Sequence, residues 1–574
     1  MKKKYILGIN YGAHDTSVTL LDSNKKKIFL SEEERFSKEK HTREFPKLSL
    51  KEAFKLKKIN FENILNVYIP FQPIKCINDF FIDYSFASNN SSHFVKNINT
   101  IRNFFNLEFN LQKKLNFKKK IHFVNHHISH LLSSLYPSGF KNSICLCFDG
   151  VGDFETGVLA IYKNKKISII KSYDFPHSLG LIYSAITDFL GWRHHCDEGI
   201  IMGLAPYGNY NAKLQNTNIT YLEIFRKIIK TSKNNPLDFK IDKSWVTYHL
   251  ERDAWVSKKF KKYFGFKRKK NDVLNPNHIN IAAALQKRLE EVVVHLTTSL
   301  IKKFKIRNIC ISGGVGLNCS LNGKILNIKK VNKVFVQPAA NDAGTSYGSA
   351  LFHFIDSKNK INTKRDDDFF QGKDISVNEI KKSLNKYKKK IFYKKLGKNL
   401  YKTVADLISQ GNVIAWVQGK NEFGPRALGN RSLLARPYPA EMKDRLNIIK
   451  KRETFRPFAP AVLEKYQNDY FKMKQSSFHM LYAFKAKSIS KRKIPAAIHV
   501  DDTARVQSVN KKSNLKFYKL LKEFYKKTKC PVLLNTSLNI KGQPMINYSD
   551  DAIECMLTYD IDYLILNNFI IKKN

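Results

Sequence analysis

The sequence predicts an α/β protein whose first half contains a duplicated strand-and-turn unit. The first copy has strands at Tyr5–Ile9, Ser17–Leu21 and Lys27–Leu30, and an acidic, glycine-containing turn follows its first strand. The second copy, within residues 144–170, repeats this order with a turn at Asp149–Asp153. Two such hairpins indicate an internal repeat. Folds of this kind hold a nucleotide between their halves, with the turns facing its phosphates, so we expect a nucleotide site.

The length of the chain indicates more than one domain. A single hydrophobic core stops growing at roughly 250–300 residues, and this chain has 574. Hydrophobic residues make up 43% of it, which suits packed cores rather than a disordered chain. The polar stretch Asp356–Gly372 is the best linker candidate. The sequence therefore predicts one domain at 1–358 and a second at 359–574.

Apolar runs and cysteines predict the compartment. No apolar run reaches the ~18 residues that a membrane helix needs. The basic start, Met1–Lys4, is typical of a signal peptide, but the apolar stretch after it, Tyr5–Ile9, is too short. The eight cysteines form no CxxC pair, and Cys145 and Cys147 lie two apart in an apolar run, as reduced buried thiols do. We expect a cytoplasmic protein without membrane insertion.

The formal charge of +51 has two interpretations. A strongly basic surface is typical of proteins that bind nucleic acid or an anionic surface. Alternatively, lysine is spread over every solvent-facing surface by compositional drift. The lysine clusters are short and dispersed, as at Lys267–Lys270 and Lys388–Lys390, and no RNA-binding signature accompanies them. We therefore expect no nucleic-acid partner, although the charge would assist a phosphorylated substrate.

Two histidines and two aspartates predict a metal site. Asn125 is a good cap for a helix that begins at His126, and His126 and His130 are then four residues apart on one face. Asp149 and Asp342 each follow an apolar strand, and the strand ends of α/β sheets collect ligands. The alternative is a pair of helix histidines with ordinary hydrogen bonds. These ligand types suit a divalent ion without choosing between iron, zinc and manganese.

Glycine turns are weaker signals for a nucleotide. An apolar strand at Ile309–Ile311 runs into Gly313 and Gly314, and glycines let backbone amides approach a phosphate closely. Met202–Gly208 is predicted as a second Gly/Pro-rich loop. Such turns are also common as structural punctuation.

Arginines in the second half predict an anion pocket. In a chain so biased toward lysine, a retained arginine indicates bidentate binding of phosphate. The alternative is structural pairing with nearby acidic residues. A polar loop predicted at Leu534–Asn539 would hold an amide or a ribose. The predicted pocket residues are Lys420, Arg426, Arg431, Arg456, Arg505 and Asn535.

Taken together, these motifs resemble the O-carbamoyltransferases typified by nodulation protein U and by antibiotic carbamoylating enzymes. The resemblance runs in order from the first strand almost to the end of the chain. The motifs that carry it are Gly12–Asp15, Glu33–Phe36, Asn125–His130, Phe148–Gly150, Met202–Gly208, Gly313–Asn318, Asn341–Gly344, Glu422–Arg431, Phe455–Pro460 and Leu534–Asn539.

The resemblance implies a fold and a two-step reaction. It implies an actin-like (ASKHA) N-terminal domain that binds a metal, usually iron(II), and a YrdC-like C-terminal domain. The second domain would make carbamoyl-adenylate from carbamoyl phosphate and Mg-ATP. The first would pass the carbamoyl group to a hydroxyl of a sugar, a sugar nucleotide or a natural product. A homodimer is a further expectation.

The resemblance also assigns roles to residues. His126, His130, Asp149 and Asp342 match the metal ligands. His14, with Asp15, matches the histidine beside the transferring carbamoyl group, although it is otherwise interpreted as a turn histidine that caps backbone amides. The predicted nucleotide contacts are Lys40, Gly150, Gly313, Gly314 and Asn318.

The chain departs from the family pattern in three places. Lys420 stands where an arginine is common, Arg436 precedes Pro437 in place of an aspartate, and Arg193–Cys196 is an unfamiliar approach to the Met202 loop. The alternatives to carbamoyl transfer are a tRNA-modifying threonylcarbamoyl-type transferase and a non-catalytic nucleic-acid-binding ATPase-like protein.

Overall fold

The strands and helices of the chain alternate in a mixed α/β fold. The computed structural model describes residues 3–75, 105–215, 217–251, 254–355 and 360–574. The strands are β1 (Tyr5–Asn10), β2 (Ser17–Asp22), β3 (Lys27–Glu32), β4 (Ile64–Ile69), β5 (Ile121–Phe123), β6 (Ser143–Gly152), β7 (Glu155–Lys163), β8 (Lys166–Asp174), β9 (Ile229–Thr231), β10 (Phe239–Ile241), β11 (Asn308–Ser312), β12 (Lys333–Val336), β13 (Ile391–Lys395), β14 (Ile414–Val417), β15 (Arg431–Ala435), β16 (Ala459–Leu463), β17 (Ala483–Lys485), β18 (Thr503–Arg505), β19 (Gln507–Val509), β20 (Val532–Ser537), β21 (Tyr563–Leu566) and β22 (Phe569–Lys573). The helices are α1 (Glu34–Ser37), α2 (Lys47–Lys57), α3 (Pro73–Lys75), α4 (Leu107–Leu115), α5 (His126–Ser138), α6 (Leu179–Phe189), α7 (Glu198–Leu204), α8 (Tyr221–Ile228), α9 (Lys258–Phe264), α10 (Pro276–Phe304), α11 (Cys319–Asn327), α12 (Ala343–Phe352), α13 (Val377–Lys386), α14 (Leu400–Ser409), α15 (Met442–Ile449), α16 (Gln467–Tyr470), α17 (Ser488–Lys493), α18 (Leu515–Thr528) and α19 (Ser549–Thr558).

Contacts within the chain divide it into two compact units that are not continuous in sequence. The first unit comprises Met1–Tyr11, Val18–Ile28 and Phe54–Asp366. The second comprises Gly12–Ser17, Phe29–Ala53 and Asp367–Asn574. Two short early segments therefore belong with the C-terminal part of the chain. The predicted domains 1–358 and 359–574 stay a prediction, and residues 356–359 of the predicted linker lie outside the described residues.

Two five-stranded sheets repeat one strand order. The first has the order β3-β2-β1-β4-β5, and the second, counted from its opposite edge, is β8-β7-β6-β11-β12. In each sheet, the first strand of the hairpin pairs in parallel with the next strand along the sheet, β1 with β4 and β6 with β11. At the outer edge of each sheet, β5 pairs in parallel with β4, and β12 pairs in parallel with β11. The strands predicted for both copies of the duplicated unit are confirmed.

Burial explains why these segments form strands. All six residues of β1 are buried, and so are the first seven of β6, which include Cys145 and Cys147. Central strands of this kind are covered on both faces and therefore read as continuous apolar runs. In the part of the chain that the structure describes, no helix is both long and apolar enough to span a membrane.

Helix α5 begins at His126, where the sequence predicts, and contains a proline near its end. The Asn125 side chain accepts a hydrogen bond from the Ile128 amide and caps the helix. Pro137 lies inside the last turn of the helix, and Gly139, with φ at 68°, forms the C-cap. The proline is tolerated because the Ser133 carbonyl, which a residue 137 amide would have contacted, accepts instead from the Gln337 side chain.

The second unit is built on an eight-stranded mixed sheet in the order β13-β22-β21-β14-β15-β20-β16-β19. Trp416 of β14 is fully buried, and its indole N–H donates to the Gly429 carbonyl at 2.9 Å. Two loop predictions were wrong. Asn535 lies within β20, since the strand continues to Ser537. Met202 lies in the last turn of α7, which ends at Leu204, and a 3-10 turn at Ala205–Tyr207 follows.

Candidate functional site

Four buried side chains of the first unit meet at one point. His126, His130, Asp149 and Asp342 offer ligand atoms that all lie within 4.8 Å of one another. The two histidine Nε2 atoms are 3.1 Å apart. Asp149 Oδ2 lies 3.3 Å from His126 Nε2 and 3.4 Å from His130 Nε2, and Asp342 Oδ1 lies 3.7 Å and 3.5 Å from the same two atoms. The four residues predicted as metal ligands are thus neighbours.

The secondary structure explains this convergence. His126 is the first residue of α5, and His130 follows one helical turn later on the same face. Asp149 lies in β6, and Asp342 is the residue before α12, shortly after β12. Because β6, β11 and β12 are parallel neighbours, their carboxyl ends lie at one edge of the sheet.

Groups around the four side chains fix their orientation. His126 Nδ1 lies 3.2 Å from the Pro70 carbonyl, which can only accept a hydrogen bond, so in the neutral form of the ring Nε2 has the lone pair and faces the cluster. Asp149 Oδ1 accepts from the Gly314 amide at 2.8 Å. A Cβ at Gly152 would lie 2.1 Å from His126 Cδ2, so only glycine leaves room for the ring there.

Electrostatics also fit a cation at this point. Burial alone would lower the pKa of His126, but hydrogen bonding to Asp149 and the charges of both aspartates raise it to about 9. Burial, and then the charge of Asp149, raise the pKa of Asp342. The buried carboxylates of Asp149 and Asp342 therefore repel each other, and a positive charge between them would be stabilised. Imidazole nitrogens and carboxylate oxygens are ligands that divalent transition metals accept, so the donor set fits such an ion.

A second cluster lies in the other unit and joins His14 and Asp15 with His41. His14 Nδ1 is 2.7 Å from Asp15 Oδ2, and His41 Nδ1 is 2.6 Å from Asp15 Oδ1. The three residues also lie close enough together to be metal ligands. Sequence reasoning missed His41, although its position directly after the predicted nucleotide contact Lys40 was a usable signal.

Five basic side chains of the second unit lie close enough together that their charges interact, which lowers the pKa of two of them. Burial, and the charges of Arg452, Arg456 and Lys40, lower the pKa of Lys450 to about 7. Burial, followed by the charges of Arg456 and Arg505, holds the pKa of Arg452 well below its ordinary range. Cations that repel one another in this way favour the binding of an anion. We call this group the cationic cluster.

Hydrogen bonds hold the two members of the cationic cluster that the sequence prediction omitted. Lys450 Nζ donates to the Ser537 carbonyl at 2.7 Å and to Asn539 Oδ1 at 2.6 Å. Arg452 Nε donates to Asn447 Oδ1 at 2.7 Å. Lys450 and Arg452 could have been predicted from their place in the sequence, because both closely precede Arg456 in one basic segment.

Other predicted pocket residues have different surroundings. Arg431 is fully buried, and its guanidinium donates to main-chain carbonyls, including those of Gln418 at 3.0 Å and Gly419 at 2.9 Å. Main-chain carbonyls of the fold interior thus occupy both of its terminal nitrogens, and its place in the predicted phosphate pocket stays a prediction. Asn535 is also buried, with Nδ2 donating to Gln507 Oε1 at 2.8 Å. Lys420 and Arg426 are half-buried, and Lys420 Nζ donates to the Gln371 side chain.

The glycines predicted to contact a nucleotide lie close to Asp149, one of the four residues predicted as metal ligands. Gly313 has φ at 82°, and a Cβ there would lie 2.3 Å from the Phe148 carbonyl, so this turn requires glycine. The Gly150 carbonyl accepts from the Ser178 hydroxyl at 2.8 Å. Asn318 caps α11 and donates to Gln286 at 2.8 Å. Nucleotide binding by Gly150, Gly313, Gly314 and Asn318 stays a prediction.

Comparison with known proteins identifies the class. Residues 5–351 match the family model described as carbamoyltransferase N-terminus, and residues 405–573 match the one described as carbamoyltransferase C-terminus. The chain therefore belongs to the carbamoyltransferase family and is a transferase enzyme.

Individual relatives are similar to different shares of the chain. An uncharacterized protein of Synechocystis is 32% identical, covering 99% of this chain and 97% of its own. Nodulation protein NolO of Bradyrhizobium diazoefficiens is 35% identical over 78% of this chain and 79% of its own. The 3'-hydroxymethylcephem-O-carbamoyltransferase of Streptomyces clavuligerus is 35% identical over 42% of this chain and 44% of its own.

The cationic cluster predicts that anion binding is coupled to proton uptake. At pH 8.5 Lys450 is largely neutral, since its pKa is about 7, and a bound anion favours its charged form. Sulfate binding at this pH should therefore be accompanied by the uptake of at most about one proton per protein. Calorimetry in buffers of different ionisation enthalpy measures this uptake, and sulfate itself does not titrate there. Lys450→Met should lose the uptake, whereas Lys443→Met on α15 should keep it. Equal uptake by both variants would contradict the prediction.

Proposed function

We propose that the protein is an ATP-dependent O-carbamoyltransferase that works through carbamoyl-adenylate. The observation that carries this proposal is the cationic cluster of Lys40, Lys450, Arg452, Arg456 and Arg505 in a chain of the carbamoyltransferase family. Carbamoyl phosphate and ATP are both polyanions, and arginine fits phosphate oxygens in a bidentate way. We place adenylate formation at this cluster, with magnesium as the ion that accompanies ATP.

The first step is balanced as follows. Water releases inorganic phosphate from carbamoyl phosphate, and the resulting carbamate oxygen attacks the α-phosphorus of ATP. The bond to the β-phosphate breaks and pyrophosphate leaves, which gives carbamoyl-adenylate. Guanidinium groups of the cluster stabilise the negative charge that develops on the phosphates. Because the product is a hydrolysable mixed anhydride, making and using it in one chain limits its loss to water.

In the second step the acceptor hydroxyl attacks the carbamoyl carbon and AMP leaves. We propose that His14 takes the hydroxyl proton and that Asp15, hydrogen-bonded to its Nδ1, holds the ring. His126, His130, Asp149 and Asp342 would hold a divalent metal, iron(II) by family resemblance. When bound, such an ion supplies Lewis acidity that polarises a carbonyl group.

The fold and the acceptor are part of the same proposal. The repeated strand order of the two five-stranded sheets supports an actin-like duplicated domain, and the eight-stranded mixed sheet is proposed to be YrdC-like. One relative's name refers to the hydroxymethyl group of a cephem. We propose a hydroxyl of a sugar, a sugar nucleotide or another natural product as the acceptor here.

The test is incubation with ATP and carbamoyl phosphate, first alone and then with fractionated cell extract. Pyrophosphate should be released in a manner that depends on carbamoyl phosphate, and mass spectrometry should find a carbamoylated metabolite. Carbamoyl-phosphate-independent turnover, or none, would contradict the proposal. Modification of RNA in the extract would instead favour the tRNA-type alternative.

Arginines of the cationic cluster should be needed for the first step. Arg456→Ala and Arg505→Ala each remove a bidentate partner of phosphate, and loss of a charged hydrogen bond costs on the order of 2 kcal/mol. We expect pyrophosphate release to fall at least tenfold, as roughly follows from that energy. Arg492→Ala, on the exposed face of α17, is the matched control. Normal pyrophosphate release by both pocket variants would exclude them from the site.

A further inference from the structure

We propose that His41 is a positioning residue that sets the protonation pattern of His14 through the carboxylate of Asp15. The inference rests on the proposed function, in which His14 takes the acceptor proton. His41 does not need to touch the substrate in this role. It acts through a hydrogen bond to the group that orients His14.

The geometry of the three side chains carries the inference. Each oxygen of Asp15 faces one histidine Nδ1, that of His14 at 2.7 Å and that of His41 at 2.6 Å. The two rings stack with centroids 5.0 Å apart and planes 27° from parallel. One carboxylate therefore serves two imidazoles in the same way.

This arrangement decides which ring nitrogen carries the proton. An ionised carboxylate can only accept, so each Nδ1 that contacts it must be the donor. Burial would raise the pKa of Asp15, but the charges and hydrogen bonds of His14 and His41 hold that pKa well below its usual range. Neutral His14 then has its lone pair on Nε2, which is the form that accepts a proton. His41 helps to keep Asp15 in the state that this requires.

Backbone conformation shows that the loop of His41 is held in place. Asp15 has φ at 49° and His41 at 57°, both in the left-handed region that non-glycine residues rarely adopt. Such conformations persist where the surrounding structure enforces them, and they concentrate at functional sites. The Gly12 amide donates to the Arg43 carbonyl at 2.9 Å, and the Thr16 amide donates to the Thr42 carbonyl at 3.1 Å. The two segments are thereby joined on both sides of the carboxylate contact.

Exposure separates the roles of the two histidines. The Asp15 side chain is 4% exposed, and those of His14 and His41 are 24% and 18% exposed. His14 is the more accessible of the two rings, as a group that meets a substrate should be. The His41 amide also donates to Glu34 Oε2 at 2.9 Å, which fixes its main chain.

The test compares three substitutions at one position. His41→Asn places an amide N–H close to the position of Nδ1, so it can still donate to Asp15. His41→Gln carries the same amide one carbon further and does not match that position, and His41→Ala removes the donor. We expect kcat for carbamoyl transfer to fall about tenfold or more in the Ala and Gln variants, with KM for the acceptor little changed. The Asn variant should restore kcat.

A spectroscopic measurement tests the same idea without turnover. Nitrogen NMR of histidine-labelled protein distinguishes an imidazole protonated on Nδ1 from one protonated on Nε2. The His14 signal, assigned with His14→Asn, should show the Nδ1–H form in the parent and in His41→Asn. A mixture of the two forms is expected in His41→Ala and His41→Gln. His295→Ala, on the exposed face of α10, is the control.

Three results would overturn the proposal. The first is an unchanged His14 proton form with parental kcat in His41→Ala. The second is a His41→Asn protein that folds but is as impaired as His41→Ala. The third is loss of a bound metal ion in His41→Ala while the His126 cluster keeps its own, which would make the triad a metal site. If the parent enzyme neither releases pyrophosphate nor transfers carbamoyl, the proposed function fails, and the NMR measurement still decides the role of His41.

Discussion

Replacing His126 and His130 together by alanine is expected to abolish metal binding and carbamoyl transfer. The parent protein, purified without oxygen, should contain about one ion per chain. The double variant loses both imidazole ligands from a buried set of four, and its two carboxylates would then lie close together without them. Two oxygens alone hold a transition metal far more weakly than the mixed set. Elemental analysis gives the metal content directly.

The same variant should retain the first half-reaction. Adenylate formation is placed at the cationic cluster, which belongs to the other compact unit, so pyrophosphate release should continue. A matched control is His122→Ala with His353→Ala, since these half-buried histidines of the first unit contact Tyr68 rather than the cluster. Full metal content in the His126/His130 variant would show that the ligands lie elsewhere.

Replacing His14 by asparagine is expected to stop transfer while sparing adenylate formation. The asparagine amide can still donate to Asp15 in place of Nδ1, but no group replaces Nε2. The variant therefore removes the proton acceptor and keeps the hydrogen bond that orders the turn. General acid–base groups contribute roughly 100-fold or more, so transfer should fall by at least that factor.

The two half-reactions are measured separately for this variant. Pyrophosphate release should stay near the parent rate, and carbamoyl-adenylate should accumulate or hydrolyse because the acceptor no longer consumes it. Arg505→Ala provides the opposite pattern, with the first step impaired. Transfer at the parent rate by His14→Asn would mean that His14 is structural and that another group takes the proton.

Local patterns explain which features could be predicted from the sequence. Continuous apolar runs indicated β1 and β6, the first strand of each repeated hairpin, since a buried strand that pairs in parallel needs such a run. A capping residue followed by histidines four apart indicated the shared face of α5. Asp149 and Asp342 could be predicted because each follows an apolar run of a strand, and parallel strands end at one edge of a sheet. Each of these inferences uses either the geometry of one helix or strand, or the alignment of the carboxyl ends of parallel strands in a sheet.

Contacts between distant segments were decided by the tertiary structure. His41 meets Asp15 across 26 residues because two loops with left-handed backbone are joined there, and no periodicity reports such a contact. Arg431 resembled a phosphate ligand in its motif, yet the fold interior surrounds it with carbonyls. In the sequence, Lys450 cannot be distinguished from the other lysines of this basic chain. In the fold, burial and neighbouring cations lower its pKa to about 7. The sequence determined the elements and the chemical types of their side chains. Packing alone decided which of those side chains share an environment, because burial and charge depend on neighbours that are remote along the chain.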